Sequence, residues 1–373
     1  MHSTKGKRVD VVFSVILGAL VIFGIFVFSS AILGLVAREG TPVASVIAGH
    51  IGLGLGLGLV ALFITTSLPY KFWRNAAPFI FLGAIILTGL VFVPGIGFKH
   101  GGAYRWIDIF GFSLQPSEPL KVALIIALAA YLSSIKEKIE DLRYGLGGFL
   151  AILSAAAVVV LLQPDNGTFG IMAATGGAMF LASGAPGKHI GALILAGVCL
   201  FAMLLVVHDY ARERVMTFLF HPVENHQTSG YQIEQSFIAI GAGGMYGRGY
   251  GNSLQKFEHL PEPAGDSIFA IIAEEFGFIG GLLLISTFVL FLVRGLSIAA
   301  HAPDRFGALL VVGIVTYIVV QSFLNIAALL GVAPLTGIPL IFVSQGGTAL
   351  LVALGASGIV LNVSRHARFN FSG

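Results

Sequence analysis

Charged residues and cysteines are both scarce in this sequence. Only 10% of the 373 residues are Asp, Glu, Lys or Arg, whereas an ordinary soluble domain carries about 25%. A chain with so few charges cannot solvate the surface of a globular domain of this size. The single cysteine, Cys199, excludes a disulfide or a cysteine-rich metal site within one chain.

Long apolar segments take the place of charge. Hydrophobic residues make up 56% of the chain and form blocks of 17 to 27 residues, close to the 20 or so that a helix needs to cross a bilayer. A transmembrane barrel would instead show alternation over segments of about 10 residues. We therefore predict an all-α integral membrane fold, a polytopic bundle of about ten helices in a single domain over 1–373. The predicted spans are 11–37, 43–68, 76–93, 119–135, 145–162, 168–184, 188–207, 267–293, 306–331 and 340–363.

The distribution of Lys and Arg predicts the orientation in the membrane. With a cytoplasmic N-terminus, thirteen of these residues lie on the inner side and seven on the outer side, as the positive-inside rule requires. Both termini are then cytoplasmic, and two long loops are extracytoplasmic, about 94–118 and, between helices 7 and 8, 208–266. Long loops are often functional, so we expect the chemistry outside. The net charge of only +3 gives no reason to invoke nucleic acid.

Several ionisable residues lie at the predicted outer surface. Burying such a side chain in a membrane costs free energy, so each is expected to have a charged partner or a functional role. Glu118 and Lys121 share a helix face at a spacing of three, which fits either a structural ion pair or a lysine that binds a diphosphate. Arg105 could anchor the chain at the interface beside Trp106 or bind phosphate oxygens. Asp165 fits a turn or a helix cap.

The second outer loop carries the densest group of polar residues. Asp266 stands where this loop becomes a helix, so it could be an N-cap or a catalytic carboxylate. Glu274 and Glu275 follow two turns later, and at least one must face the interior or water. The spacing of apolar residues over 231–244 predicts a half-buried helix. The glycines of 52–58 predict close packing between helices.

These motifs, taken in order, resemble the SEDS polymerases, the FtsW/RodA family. The resemblance extends over nearly the whole chain, and Gly251 to Lys256 is closer to the division-type FtsW branch than to the RodA branch. The stretches that carry it are 105–107, 115–118 with Lys121, 163–165, 260–262, Asp266, 273–277, 334–339 and 343–347. The chain departs from the family pattern at Ala264, Gly265, Ser267 and Gln345.

The resemblance implies a peptidoglycan glycosyltransferase that polymerises lipid II on the outer face of the bacterial cytoplasmic membrane during cell division. It implies that Asp266 is catalytic, and the candidate substrate-binding residues are Arg105, Glu118, Lys121, Lys256 and Glu262. Implied partners are lipid II, a class B penicillin-binding protein and other membrane proteins of the divisome. A divalent cation, Mg²⁺ or Mn²⁺, stays open as a cofactor, and no metal ligand is assigned.

Two other functions compete with the enzyme. A lipid II flippase would need a polar path through both leaflets, yet the cytoplasmic halves of the predicted helices carry almost no charge. A divisome scaffold without activity would explain the altered residues around Asp266. Polar residues gather at one face instead, which favours chemistry at that surface.

Overall fold

The structure is a computed structural model that describes residues 8–39, 47–100, 103–109, 112–207, 209–220 and 229–367. Nine helices in these ranges are long and apolar enough to cross a membrane. The sixth predicted span, 168–184, is not among these nine; it corresponds to a helix of 17 residues, which is at the short end of the range for a transmembrane helix. The predicted class of a polytopic helical membrane protein is confirmed.

The helices are numbered in chain order. They are α1 Val11–Glu39, α2 Leu57–Ser67, α3 Lys71–Gly89, α4 Ser117–Ser134, α5 Gly148–Leu161, α6 Asn166–Ala182, α7 Gly187–Val207, α8 Asp209–Phe220, α9 Ser229–Gly243, α10 Gln255–Glu258, α11 Ile268–Ala300, α12 Arg305–Leu329 and α13 Gly347–Ser364. Two π-helical segments lead into α2 and α5, at Ala48–Gly56 and Leu142–Gly147, and two 3₁₀ turns lie at Leu90–Phe92 and Lys136–Lys138.

Helices α12 and α13 form the centre of the bundle, and α7 lies at its edge. Both central helices bury apolar side chains along most of their length, including Leu310, Ile314, Tyr317, Ala353 and Val360. No residue in the apolar window of α7 is buried. The apolar side chains of that window suit contact with lipid, whereas His189, near the start of α7, is buried.

The glycine-rich segment packs α2 against α13, as the sequence predicts. A Cβ atom on Gly58 would lie 2.6 Å from Leu354 Cδ1, and one on Gly54 would lie 3.1 Å from the Cα atom of Gly347. Small residues let two backbones approach this closely. The close helix packing predicted for 52–58 is confirmed at these two positions.

The two ends of the described chain lie on the same face of the bundle. The backbone N–H of Asp10 donates to Ser364 Oγ at 3.0 Å, and Arg294 Nε donates to Asp10 Oδ1 at 3.0 Å. These contacts join the start of α1 to the ends of α11 and α13. Asp266 precedes the opposite end of α11, so it lies on the other face.

The first long loop contains a small sheet that the sequence did not predict. Strands β1 Gly97–His100, β2 Ala103–Ile109 and β3 Phe112–Leu114 pair antiparallel in the order β1-β2-β3. Ile107 of the middle strand pairs with Gly97 on one side and Leu114 on the other, and its side chain is buried. The strands are too short to show a clear alternating pattern in the sequence.

The second long loop contains the helix predicted for 231–244, and the structure confirms it as α9. Ile233 is buried on this helix, whereas Ile238 is 46% exposed. The predicted tenth span is wrong at its start, because 340–346 is irregular and α13 begins at Gly347. At the start of α4, Pro116 is the N-cap residue, and Ser117 Oγ is buried without a hydrogen-bond partner among the described residues.

Helix α11 is interrupted at Gly277, where the loop after α9 takes over its backbone hydrogen bonds. Gly277 has φ 66° and ψ −165°, a conformation essentially restricted to glycine. The N–H groups of Arg248 and Gly249 donate to the carbonyls of Glu274 and Glu275, at 2.9 and 3.0 Å. In the other direction, the N–H groups of 278 and 279 donate to the carbonyls of 244 and 245. The break therefore leaves these backbone groups paired.

We expect Gly277→Ala to destabilise the fold. The backbone conformation alone costs a residue with a Cβ about 1–3 kcal/mol, and this Cβ would lie 2.4 Å from the N atom of Gly247. Thermal unfolding in detergent should show a clearly lower midpoint. Gly18→Ala is the matched control, because a Cβ on Gly18 meets no atom within 4 Å. Equal midpoints for the two variants would show that the break tolerates rearrangement.

Candidate functional site

The irregular segment 334–346 forms the floor of a site at the face that carries Asp266. Two residues one turn apart on α12 hold this floor segment in place. Gln321 Nε2 donates to the carbonyl of Pro339 at 3.2 Å, and Asn325 Nδ2 donates to that of Ile338 at 2.8 Å. Gly337, which directly precedes Ile338 in the floor segment, has φ +66° and turns the backbone there.

Asp266 lies against this floor and is held through both its backbone and its side chain. Asn325 Nδ2 also donates to the Asp266 carbonyl, at 2.7 Å. Gln232 Nε2, from α9, donates to Asp266 Oδ1 at 3.0 Å and to Ser267 Oγ at 2.9 Å. The N-cap of α11 is Ser267, and it makes no side-chain capping bond. The carboxylate of Asp266 thus accepts a hydrogen bond from a side chain of another helix. Asp266 is not the N-cap of α11.

The surroundings of Asp266 raise its pKa to about 6 from an ordinary value of 3.8. Burial makes the largest contribution, because it disfavours the charged form, and the negative charge of Glu262 adds to it. The positive charge of Arg214 and the hydrogen bond from Gln232 act in the opposite direction. The side chain is still partly exposed, so it combines a raised proton affinity with access from outside.

Glu262 and Arg214 flank Asp266. Glu262 is exposed, has φ +45° and accepts backbone hydrogen bonds from Gly265 and Ser267 at 3.0 and 3.3 Å. Arg214, on α8, donates from Nη1 to the carbonyl of Leu335 at 2.6 Å. Two carboxylates, one guanidinium and one amide therefore converge at this surface.

Glu118 and Lys121 lie below the floor segment and are buried. Their side chains form an ion pair of 2.8 Å, and each is 2% exposed. Lys121 Nζ also donates to Gln321 Oε1, so the pair supports the residue that holds Pro339. The structural ion pair considered for these two residues is present.

Arg105 contacts the turn that precedes α6. Its Nη2 donates to the carbonyl of Pro164 at 2.6 Å, and its Nε donates to that of Gln163 at 3.4 Å. Asp165 caps α6 by accepting from the Thr168 N–H at 3.2 Å, which confirms the cap predicted there. The turn adjoins the floor segment, since a Cβ on Gly167 would lie 2.7 Å from Ile338 Cδ1.

Lys256 lies apart from Asp266, in a buried polar cluster between α1 and α11. Its Nζ contacts Glu275 Oε1 at 2.7 Å, Ser30 Oγ at 2.8 Å and the carbonyl of Gly251 at 2.8 Å. Neighbouring Glu274 accepts from Ser253 Oγ at 2.5 Å. Both glutamates are buried, as the sequence requires of at least one of them.

The structure therefore separates the predicted site residues into two groups. Asp266 and Glu262 are together at the surface, whereas Arg105 contacts the turn before α6. Glu118, Lys121 and Lys256 are at most 2% exposed. A substrate-binding role for these three stays a prediction, and here it would require buried ion pairs to open. Gln232, Asn325 and Arg214 were not predicted as site residues, because no motif distinguishes them in the sequence.

A divalent ion bound at this surface would have to take most of its ligands from a bound substrate and from water. Among the residues that the structure describes, no group of three or more His, Cys, Asp or Glu side chains could hold a metal. Asp266 and Glu262 would be the protein ligands, whereas Mg²⁺ takes about six oxygens in octahedral geometry. Phosphate oxygens and water would have to supply the others.

Comparison with known proteins identifies relatives over nearly the full length. Stage V sporulation protein E of Bacillus subtilis is 40% identical over 314 residues, covering 84% of this chain and 86% of the relative. The probable peptidoglycan glycosyltransferase FtsW of Geobacter metallireducens is 35% identical over 358 residues, covering 96% and 95%.

Solved structures show the same fold. One similar chain comes from a solved peptidoglycan synthase complex, which is described as coordinating polymerization and crosslinking. It superposes with a TM-score of 0.78 at 26% identity, covering 96% of this chain and 98% of that chain. The rod shape determining protein RodA of Thermus thermophilus gives a TM-score of 0.70 at 24% identity, covering 97% and 98%. The family model FTSW_RODA_SPOVE, described as "Cell cycle protein", matches residues 10–369. This chain is a multi-pass membrane protein that belongs to the FtsW/RodA/SpoVE family.

Proposed function

We propose that this chain is a peptidoglycan glycosyltransferase that polymerises lipid II on the outer face of the cytoplasmic membrane. The observation that carries the proposal is Asp266, a partly exposed carboxylate whose pKa is raised to about 6. The names of the curated FtsW relatives support the reaction class. We further propose that the described bundle works as one membrane domain and acts at the division site, which the relatives named FtsW favour.

In the proposed reaction, a sugar hydroxyl of an acceptor lipid II attacks the anomeric carbon of the growing strand. Asp266 takes the hydroxyl proton as the new carbon–oxygen bond forms, and a positioned base of this kind contributes typically about 10²–10⁴-fold. The bond from the anomeric carbon to the diphosphate breaks, and the polyprenyl diphosphate leaves with the electron pair. Glu262 lies on the side from which substrate approaches, and Arg105 is a further candidate for the sugar or phosphate groups.

We also propose that the enzyme works with a class B penicillin-binding protein and with other divisome membrane proteins. The similar solved chain comes from a peptidoglycan synthase complex, which supports the partnership by analogy. Some ionisable residues at the inner face form helix contacts, such as Arg294 with Asp10 and Tyr70 with Asp304. These contacts hold the inner ends of helices together, which does not favour the alternative of a flippase.

The decisive experiment incubates the purified full-length chain with labelled lipid II, with and without its partner. A polymerase yields glycan strands, and its rate should rise when the partner is present. A flippase in vesicles would move labelled lipid II between leaflets without extending it, and a scaffold would do neither. Absence of polymer in the presence of a competent partner would contradict the proposal.

The proposed orientation can be tested by cysteine labelling. In a Cys199→Ala background, we expect His259→Cys to react with an impermeant maleimide added outside intact cells. Glu137→Cys should react only after the membrane is opened, because 136–138 lies on the proposed inner face. Both positions are exposed in the structure. The reverse pattern would place the Asp266 face in the cytoplasm and end the enzyme proposal.

Activity should depend on pH through Asp266. A base works only when ionised, so the rate should fall as the pH falls through about 6, the pKa of this group. Glu262→Gln removes a negative charge that raises this pKa, so the midpoint of the profile should move to lower pH. The midpoint is read independently of the maximal rate, which separates this effect from any loss of substrate binding. An unchanged midpoint would show that another group sets the profile.

A further inference from the structure

We infer that Arg214 binds the phosphate-bearing leaving group at the Asp266 site; this deepens the proposed function and rests on it. Arg214 lies on α8 and is partly buried. Its Nη1 donates to the carbonyl of Leu335 at 2.6 Å, which anchors the guanidinium above the floor segment. An anchored guanidinium offers an oriented fork of donors, the geometry that suits phosphate oxygens.

Arg214 and Asp266 both border a niche above Gly337, which forms its base. A Cβ atom built on Gly337 would lie 3.7 Å from Arg214 Nη2, 3.7 Å from Asp266 Oδ2 and 3.8 Å from Arg214 Nη1. Apart from Gly337 and its two chain neighbours, no atom of the described residues lies closer to that point than these three. The guanidinium and the carboxylate thus border the same small space above an exposed glycine.

This pairing fits the two charges that glycosyl transfer develops. Negative charge grows on the diphosphate as its bond to the sugar breaks, and a fixed cation in place before the reaction stabilises that charge. The attacking hydroxyl loses its proton to a base at the same stage. Arg214 and Asp266 can serve these two needs within one niche.

The other cations considered for the diphosphate are placed differently. Lys121 and Lys256 are buried in ion pairs with Glu118 and Glu275, and Arg105 donates to the carbonyls of the turn before α6. The charge of Arg214 also acts directly on the Asp266 carboxylate and lowers its pKa. Among the residues that the structure describes, Arg214 is the cation whose charge acts on the Asp266 carboxylate.

The test measures binding separately from turnover, using the full-length protein in detergent. The probes are a polyprenyl diphosphate without sugar and inorganic diphosphate, which distinguish a lipid-linked group from a free anion. The variants are Arg214→Gln, Arg214→Lys and, as the matched control on the same helix, Arg212→Gln. Thermal unfolding of each variant reports whether the fold is intact.

We expect Arg214→Gln to weaken binding of the polyprenyl diphosphate by about tenfold or more, the range for a lost hydrogen bond to a charged group. Arg214→Lys should recover part of this loss, and Arg212→Gln should bind like the wild type. The pH midpoint of residual activity should rise in Arg214→Gln, because a charge that lowers the pKa of Asp266 is gone. That rise follows from the charge of Arg214 alone, so the binding measurement decides whether Arg214 is a phosphate ligand.

Each outcome decides the inference. If a folded Arg214→Gln variant binds both probes like the wild type, Arg214 is not a phosphate ligand. If it loses inorganic diphosphate and the lipid probe equally, the site binds the anion without using the lipid. If the wild type binds through Arg214 but forms no polymer, the proposed function fails and this inference stands.

Discussion

Asp266→Asn should abolish polymerisation of lipid II while leaving the fold intact. Asparagine keeps the shape of the side chain and one oxygen that can accept from Gln232, but it cannot take a proton from the acceptor hydroxyl. Loss of a general base costs typically about 10²–10⁴-fold in rate. The measurement is glycan polymer formed from labelled lipid II by the full-length chain with its partner.

Thermal unfolding and partner binding should stay near wild type in this variant. The contacts from Asn325 to the backbone of Asp266 do not involve the carboxylate and are kept. Asp141→Asn is a matched control on the other face of the bundle, where Asp141 caps a helical turn by accepting from the N–H groups of Arg143 and Tyr144. Asparagine caps about as well as aspartate, so this control should remain active. An active Asp266→Asn variant would move the catalytic role to Glu262 or remove it.

Lys256→Met should destabilise the protein more than any other single change considered for the outer loop. The ammonium is 0% exposed and pairs with a Glu275 carboxylate that is also 0% exposed. Removing one member of a buried pair leaves an uncompensated charge, which costs about 3–5 kcal/mol. We expect a large drop in the thermal midpoint and release of the 244–256 loop from α1, detectable as faster proteolysis there.

The double variant Lys256→Met with Glu275→Gln tests the cause. Neutralising the carboxylate removes the unpaired charge, so much of the lost stability should return. Arg248→Gln is the matched control, because Arg248 is 39% exposed and lies 3.4 Å from Glu274; it should shift the midpoint far less. A stable Lys256→Met variant that fails to bind substrate would instead support the substrate-binding role predicted from the sequence.

Local patterns in the sequence predicted the elements that depend on local chemistry. The apolar blocks predicted the membrane helices, since burying about 20 residues in lipid needs no knowledge of neighbours. The spacing of Ile233 and its neighbours predicted α9, and Asp165 was correctly considered as the cap of α6. The break at Gly277 was missed because a neighbouring loop supplies the hydrogen bonds that allow it.

The candidate site was predicted only in part, because its contacts join distant positions. Sequence motifs pointed to Asp266, yet its partners Gln232 and Asn325 are 34 and 59 positions away and look like ordinary helix residues. Lys121 was considered as a diphosphate ligand from its position at the outer surface, and Lys256 was a candidate through the family resemblance. The fold buries both, since Glu275 and Glu118 neutralise them inside the bundle.

By itself, the sequence determined that this is a polytopic helical membrane protein, because hydrophobic length and scarce charge act on each segment independently. It also singled out Asp266 through the motifs around it. Only the tertiary structure decided which charged side chains are exposed at the outer face and which are buried in ion pairs inside the bundle. That choice depends on which helices meet, and so the tertiary structure alone placed Arg214 and Gln232 beside Asp266 and gave the carboxylate its raised proton affinity.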